Sequence, residues 1–211
     1  MKTKLIIYLA LAVTLLASCS KYPPSSARLQ EDLAIYTKYD VTINFNDYKT
    51  FKVVPAVAYI DGKDSTTLTD ANAMALINRI NTEMLSRGFV AVTGTAKPDL
   101  GINVTAIKST TTTVYSPGWY WGYPGYYPPS WWGYPGYGYG YPYYPTYVSS
   151  YSTGSVIIDM VDFKSPTADH KVMIRWNAYI RGLLTGSHSV SDVLKSVEQA
   201  FTQTPTLKTT P

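Results

Sequence analysis

Val41, Ile43 and Phe45 alternate with Thr42, Asn44 and Asn46, the period of two that turns one face of a strand inward and the other outward. Asn46-Asp47 supplies turn chemistry and Thr50-Phe51-Lys52-Val53 resumes the extended pattern, so a hairpin is expected over residues 41–53. A loop through Asp61-Gly62 follows. The period then lengthens: Ala73, Leu76, Ile77, Ile80 and Met84 share one face of a helix, with Asn72, Asn78, Arg79, Thr82 and Glu83 opposite. Thr69 or Asp70 stands where an N-cap belongs, and Gly88 where a helix ends in a left-handed residue. Glu83 and Arg87, four apart in the favourable order, add about 0.3 kcal/mol. Phe89 to Val92 reads as a short strand, and Leu100, Ile102, Val104 and Ala106 as a longer one after the Pro98-Asp99 turn.

Regular patterning stops at Ser109 and resumes at Gly154. Val156 to Val161 is then a nearly continuous apolar strand broken by Asp159. Val172, Ile174, Trp176, Ala178 and Ile180 alternate with Lys171, Met173, Arg175, Asn177 and Tyr179. A last helix carries Val190, Val193, Leu194, Val197 and Phe201 on one face, with Ser189 and Asp192 spaced as a capping box and Pro205 as its stop. Strands come in consecutive pairs separated by helices. This predicts an α+β fold of two layers, a mostly antiparallel β-sheet with two helices on one face, interrupted by a long Tyr/Gly/Pro-rich loop.

That loop, 109–153, is unlike the rest. From Ser109 to Ile158 no residue is charged, and tyrosine recurs with Gly and Pro, as in Gly122-Tyr123-Pro124-Gly125-Tyr126-Tyr127-Pro128-Pro129. Trp119, Trp121, Trp131 and Trp132 join them. Gly and Pro at this density oppose helix and strand ladders, so the insert is expected to be flexible. Three roles stay open for it: a passive strand-to-strand loop, a binding surface, or a self-associating sticker segment. As a binding surface it would stack Trp119, Trp121, Tyr123, Tyr126, Trp131, Trp132, Tyr134 and Tyr137 on sugar rings or protein.

The amino terminus gives an address. Met1-Lys2-Thr3-Lys4, an apolar run from Leu5 to Ala17, and small residues at a cleavage point are the parts of a secretory signal over 1–18. The run is shorter than the ~20 residues that span a bilayer. Leu16-Ala17-Ser18-Cys19 resembles the lipobox of bacterial lipoproteins, and Cys19 is the chain's only cysteine, with no disulfide partner. The resemblance implies a diacylated Cys19 as the mature N-terminus; two or three acyl chains anchor firmly at about 0.8 kcal/mol per buried CH₂. Residues 19–39, with Pro23-Pro24-Ser25-Ser26, then read as a lipidated tether and spacer, 40–204 as the domain, and 205–211 as a frayed tail. Removing Lys2 and Lys4 with the signal lowers the formal charge from +4 to +2, too small a bias to argue for nucleic acid.

The order Asp40-Val41-Thr42-Ile43-Asn44-Phe45, then Tyr48-Lys49-Thr50-Phe51, resembles the opening of the DUF4136 lipoproteins, a domain of unknown function common in Gram-negative envelopes. Leu85-Ser86-Arg87-Gly88-Phe89, Pro98-Asp99-Leu100-Gly101-Ile102-Asn103-Val104, Gly154-Ser155-Val156-Ile157-Ile158-Asp159-Met160-Val161-Asp162 and a strand with a central Trp176 extend the resemblance over about 40–204. The family pattern often has glycine close behind the tryptophan, where this chain has Asn177-Ala178. The resemblance implies an envelope location and an architecture; it brings no reaction.

Candidate chemistry is sparse. His170 lies in a polar turn and His188 before the last helix, solvated positions with no metal-ligand pattern. Asp159 and Asp162, three apart on a strand, fall on opposite faces, against a shared acid–base role, and read as a solvent-side strand residue and a turn residue. Ser152-Thr153-Gly154-Ser155 lacks the frame of a nucleophile elbow, and no Gly-rich phosphate loop precedes a helix. The expectation is a non-enzymatic lipoprotein without cofactor or metal. It is anchored in the outer membrane through Cys19, faces the periplasm, and acts as a scaffold or binding module. Ser20 after the cysteine and the absence of an acidic run in the spacer agree with that address. The alternative is a glycan- or peptidoglycan-binding, adhesive role carried by the insert. Peptidoglycan, polysaccharide and envelope proteins are the partners in view.

Overall fold

The computed structural model describes residues 33–62, 64–108, 126–139, 154–183 and 188–210. Among the described residues the strands are β1 (Ala34–Tyr39), β2 (Thr50–Val53), β3 (Val57–Asp61), β4 (Asp64–Leu68), β5 (Val90–Ala91), β6 (Leu100–Ile107), β7 (Gly138–Tyr139), β8 (Ser155–Asp162) and β9 (Lys171–Arg181). The helices are α1 (Ala71–Ser86) and α2 (Val190–Thr202). The sheet runs β1-β9-β8-β6-β2-β5, and β3 joins β6 beside β2. Thus β2 lies along Leu100–Ile102 and β3 along Thr105–Ile107, both parallel to β6. The β1–β9, β9–β8, β8–β6 and β3–β4 ladders are antiparallel. The fold is α+β with a mixed sheet, which corrects the mostly antiparallel expectation: strands joined through α1 and its flanking turns return parallel to β2.

Both helices stand where their periodicity put them. Asp70 caps α1, its carboxylate accepting the Asn72 and Ala73 amides at 2.8 and 3.0 Å. Ser189 and Asp192 close a capping box on α2. Ile80 and Met84 of α1 and Val197 and Phe201 of α2 are fully buried in one core with Ile102, Val104, Ile158, Met160 and Trp176 of the sheet. Phe201 packs on Trp176 with ring centroids 4.9 Å apart, and the Trp176 indole donates to Thr204 Oγ1 at 2.9 Å.

Four boundaries differ from expectation. Residues 41–45 are not a strand: Asp40 accepts from the Thr42 amide at 2.9 Å and from its hydroxyl, and Asn44 caps a short 3₁₀ turn over Phe45–Asp47. Side chains that bond their own backbone compete with a ladder. The edge strand comes earlier, as β1, inside what reads as spacer; all six of its residues pair with β9. The loop at Asp61-Gly62 is the turn of a β3–β4 hairpin, with Gly62 at φ +65°. The tail is not frayed. Leu207 is fully buried, the Thr209 amide donates to Arg87 O at 2.9 Å, and the Thr210 amide to Asn46 Oδ1 at 2.8 Å. Gly88, at φ +88°, is needed there twice over, because a Cβ would lie 2.5 Å from Thr209 O.

Candidate binding surface on the second face of the sheet

The alternation that sends Ile102, Val104, Ile158, Met160 and Trp176 to the helices sends Gly101, Asn103, Thr105, Asp159 and Asn177 to the other face. These polar residues are nevertheless buried, Asn103 and Asp159 at 1% exposure. Their cover is the middle of the aromatic insert. The Tyr127 amide donates to Asn103 Oδ1 at 3.1 Å, and Asn177 Nδ2 donates to Asp159 Oδ1 at 2.6 Å, with the Tyr126 hydroxyl 3.4 Å from Asp159 Oδ2. Asn177, directly behind Trp176, therefore has a partner of its own in Asp159.

Residues 126–139 hold a defined shape. Amides of Trp131, Trp132 and Gly133 donate back to Pro128, Pro129 and Ser130 in successive tight turns, and Gly133 and Gly136 take φ +92° and +84°. The Trp132 indole donates to Tyr127 O at 3.1 Å, the Tyr139 hydroxyl donates to the same carbonyl, and the Tyr134 hydroxyl reaches Pro98 O at 2.9 Å. The two residues of β7 pair parallel with Lys171 and Val172. Trp132 sits at 1% exposure over Gly101, where a Cβ would stand 2.5 Å from Phe163 Cε2 and 3.2 Å from Trp132 Cδ2. The glycine in this strand is the socket for the tryptophan. Phe163 in turn stacks on Tyr134, centroids 4.7 Å apart and planes 2° from parallel. The expected flexible insert is, over these residues, a third layer.

This sorts the sequence-predicted stacking residues. Tyr126 and Trp132 are buried and occupied by the sheet, so they present no ring to a ligand, a correction that follows from Gly101 and Asp159 lying beneath them. Trp131 faces outward at 38% exposure, its ring 4.4 Å from Tyr127 and the Lys52 ammonium 4.3 Å from its centroid. Tyr134 and Tyr137 are half-buried beside it, with Lys97 Nζ 5.2 Å from the Tyr134 ring and His170 against Tyr137. Trp119, Trp121, Tyr123 and Cys19 lie outside the described residues. Burial pushes the phenols of Tyr127, Tyr134 and Tyr139 above the usual tyrosine range, and nearby Asp99 and Tyr137 raise Tyr134 further. These rings are neutral hydrogen-bonding faces flanked by lysines, suited to an uncharged polyhydroxyl or to an acidic chain.

A polar cluster that sequence reasoning missed lies at the bulge between Met160 and Val161. Asp162, expected in a turn, is fully buried. It accepts from the Tyr48 hydroxyl (2.8 Å), Arg175 Nε (3.0 Å) and the Lys164 and Ser165 amides (both 2.9 Å). Arg175 Nη1 also donates to Asp40 Oδ2 at 2.7 Å. Burial works against the Asp40 charge, but the Thr42 and Arg175 hydrogen bonds outweigh it and hold its carboxyl below the usual carboxylate range. Burial and the Asp162 charge raise Tyr48. A carboxylate saturated by four donors is a structural clasp. Asp159 and Asp162 do lie on opposite sides of the sheet. Among the described residues no three His, Cys, Asp or Glu gather closely enough to hold a metal ion, and no helix is long and apolar enough to cross a membrane.

A mixed-sheet α+β domain with two helices on one face and an aromatic layer on the other is the class that these features define. The chain belongs to the DUF4136 family (domain of unknown function), whose model matches residues 35–206. It is similar to a solved DUF4136 family protein from Bacteroides thetaiotaomicron, with 35% identity over 83% of this chain and 97% of that one, at a TM-score of 0.71. More distant similarities are to PelC dodecamers from Paraburkholderia phytofirmans (10% identity, 85% of this chain, 100% of that one, TM-score 0.41) and to a PDZ domain protein from Parabacteroides distasonis (17%, 83%, 36%, TM-score 0.41). No curated protein matches the chain.

Proposed function

We propose that the chain is a lipoprotein of the bacterial outer membrane, anchored by acyl groups on Cys19 and facing the periplasm. Its domain acts without catalysis, as a binding module and scaffold for envelope components. One observation supports binding above a bare scaffold: residues 126–139 are fixed on the sheet by Asn103, Gly101 and Pro98, and this rigid mount holds Trp131 outward between Tyr127 and Lys52. A pre-ordered aromatic face binds at low entropic cost. Peptidoglycan or surface polysaccharide fits it, since sugar rings stack on tryptophan and tyrosine while lysines meet their acidic substituents.

Two measurements test this in parallel. Cells expressing the full chain and its Cys19→Ser variant are labelled with palmitate and fractionated. The wild type is expected to take label and enter the outer-membrane fraction and the variant to do neither; equal labelling sinks the anchor. The chain from Lys21, and its Trp131→Ala variant, are sedimented with purified peptidoglycan and with cell-surface polysaccharide. The wild type is expected to pellet at least tenfold more than the variant, and wild type left in the supernatant with both sinks the binding reading.

A further inference from the structure

The two helices start at the same end of the sheet and leave a cleft there. Residues at both starts, Ala73 of α1 and Val193 of α2 among them, line a cavity of about 420 Å³. Its floor is the helix-side face of the sheet at Val57, Ala106 and Val156, and Leu76 walls one side. The volume falls within the roughly 300–1,000 Å³ of small-molecule sites, and like them this one is apolar within and polar at the mouth.

The mouth is polar. Lys108 and His188 stand there with Asp70 and Asn72. The Asp70 carboxylate is occupied by the amides it caps. Among the described residues Lys108 pairs with Asp61 at 3.7 Å, with both side chains about half exposed, so its ammonium is loosely held. Asp70 and Asp192 already stand on the amino ends of α1 and α2 and offset their positive ends, so Lys108 is the cation that the mouth offers a headgroup.

The chain also enters the domain at this end. Ala34, the first residue of β1, pairs with Arg181, two residues before Leu183, which lines the cleft. The fourteen residues from Ser20 to Leu33 extend at most roughly 50 Å. On the anchor proposed above, on which this point alone rests, the cleft end is the end nearest the membrane.

We infer that the cleft binds a single-chain anionic amphiphile, its acyl chain on Val57, Ala106 and Val156 and its headgroup on Lys108. The test uses the chain from Lys21, whose described core draws on nothing before residue 33. A fluorescent long-chain fatty acid and the uncharged alcohol of the same length are titrated in, below their micellar concentrations. The wild type is expected to bind the acid saturably, one per chain. Val193→Trp, which fills the cleft from α2, is expected to weaken both probes at least tenfold. Lys108→Glu, an exposed change that leaves the core alone, is expected to weaken the acid about tenfold and the alcohol less than twofold. Non-saturable binding, or equal loss of acid and alcohol in Lys108→Glu, overturns the proposal. So does mature lipidated protein that excludes the acid, because the occupant is then the chain's own acyl group. Both probes act in solution, so a failure of Cys19 labelling and a failure of the cleft are read separately.

Discussion

The two faces of one sheet are closed by opposite chemistry. On the helix face, Ile102, Val104, Met160 and Trp176 meet Ile80, Met84, Val197 and Phe201, and burial of apolar surface at about 25 cal/mol per Å² holds the layers together without fixed direction. On the other face, Asn103 and Asp159, the latter braced by Asn177, meet a segment with no charge and few aliphatics, held by directed hydrogen bonds and ring contacts. The first closure tolerates sequence change so long as volume is kept; the second depends on particular atoms. A segment poor in aliphatic residues therefore folds when the surface beneath it supplies polar partners and a socket.

Trp176→Ala breaks the helix-face side of the comparison and is expected to have the largest effect. It empties the space against Phe201 and orphans the Thr204 hydroxyl, destabilising by about 4 kcal/mol in urea unfolding. Next is Arg175→Met at the bulge, where Asp162 keeps three donors but loses its counter-charge, at about 3 kcal/mol. That variant also carries a pH signature. The Asp40 carboxyl is depressed in the folded chain, so its contribution is present above the unfolded value of about 3.9 and lost as pH falls through the folded one. Arg175→Met is expected to shrink this acid-side loss, seen as a flatter dependence of the urea midpoint below about pH 4.

Gly101→Val attacks the aromatic face alone. The new side chain displaces Phe163 and Trp132, at about 2 kcal/mol, with a red shift in tryptophan emission as Trp132 meets water. The smallest effect is expected from Trp131→Ala. Exposed and held by Lys52 and Tyr127, it changes stability by under about 1 kcal/mol, so lost polysaccharide sedimentation in that variant reads as lost binding.

The helix caps were legible: Asp70, Ser189, Asp192 and Gly88 stand in the positions their spacing marks, because those bonds are local. The faces were legible only in part, since Glu83, expected on the polar face, is buried between Arg79 and Arg87, and Val190, expected on the apolar face, is exposed. The strands β6, β8 and β9 were legible too. Their pairing direction was not, since it depends on which edge of β6 receives β2 and β3. Alternation misled at Val41–Phe45, where Asp40 and Asn44 turn the chain. It misled again at Asn103 and Asp159, whose polarity implies solvent but whose cover lies more than twenty residues away in sequence. Of the eight rings expected to stack on a ligand, Trp119, Trp121 and Tyr123 lie outside the described residues, Tyr126 and Trp132 are buried, and Trp131, Tyr134 and Tyr137 reach the surface. Which ring faces inward was decided by Gly101, which composition cannot rank above any other glycine.

The most direct measurement is indole N–H exchange by NMR in the chain from Lys21, with each signal assigned by substitution. A closed second face requires that the Trp132 indole, bonded to Tyr127 O, exchange as slowly as that of Trp176 in the helix-face core, with Trp131 exchanging fast. If Trp132 exchanges as fast as Trp131 while Trp176 stays protected, the aromatic segment is not a layer of this fold, and the account of its second face is wrong.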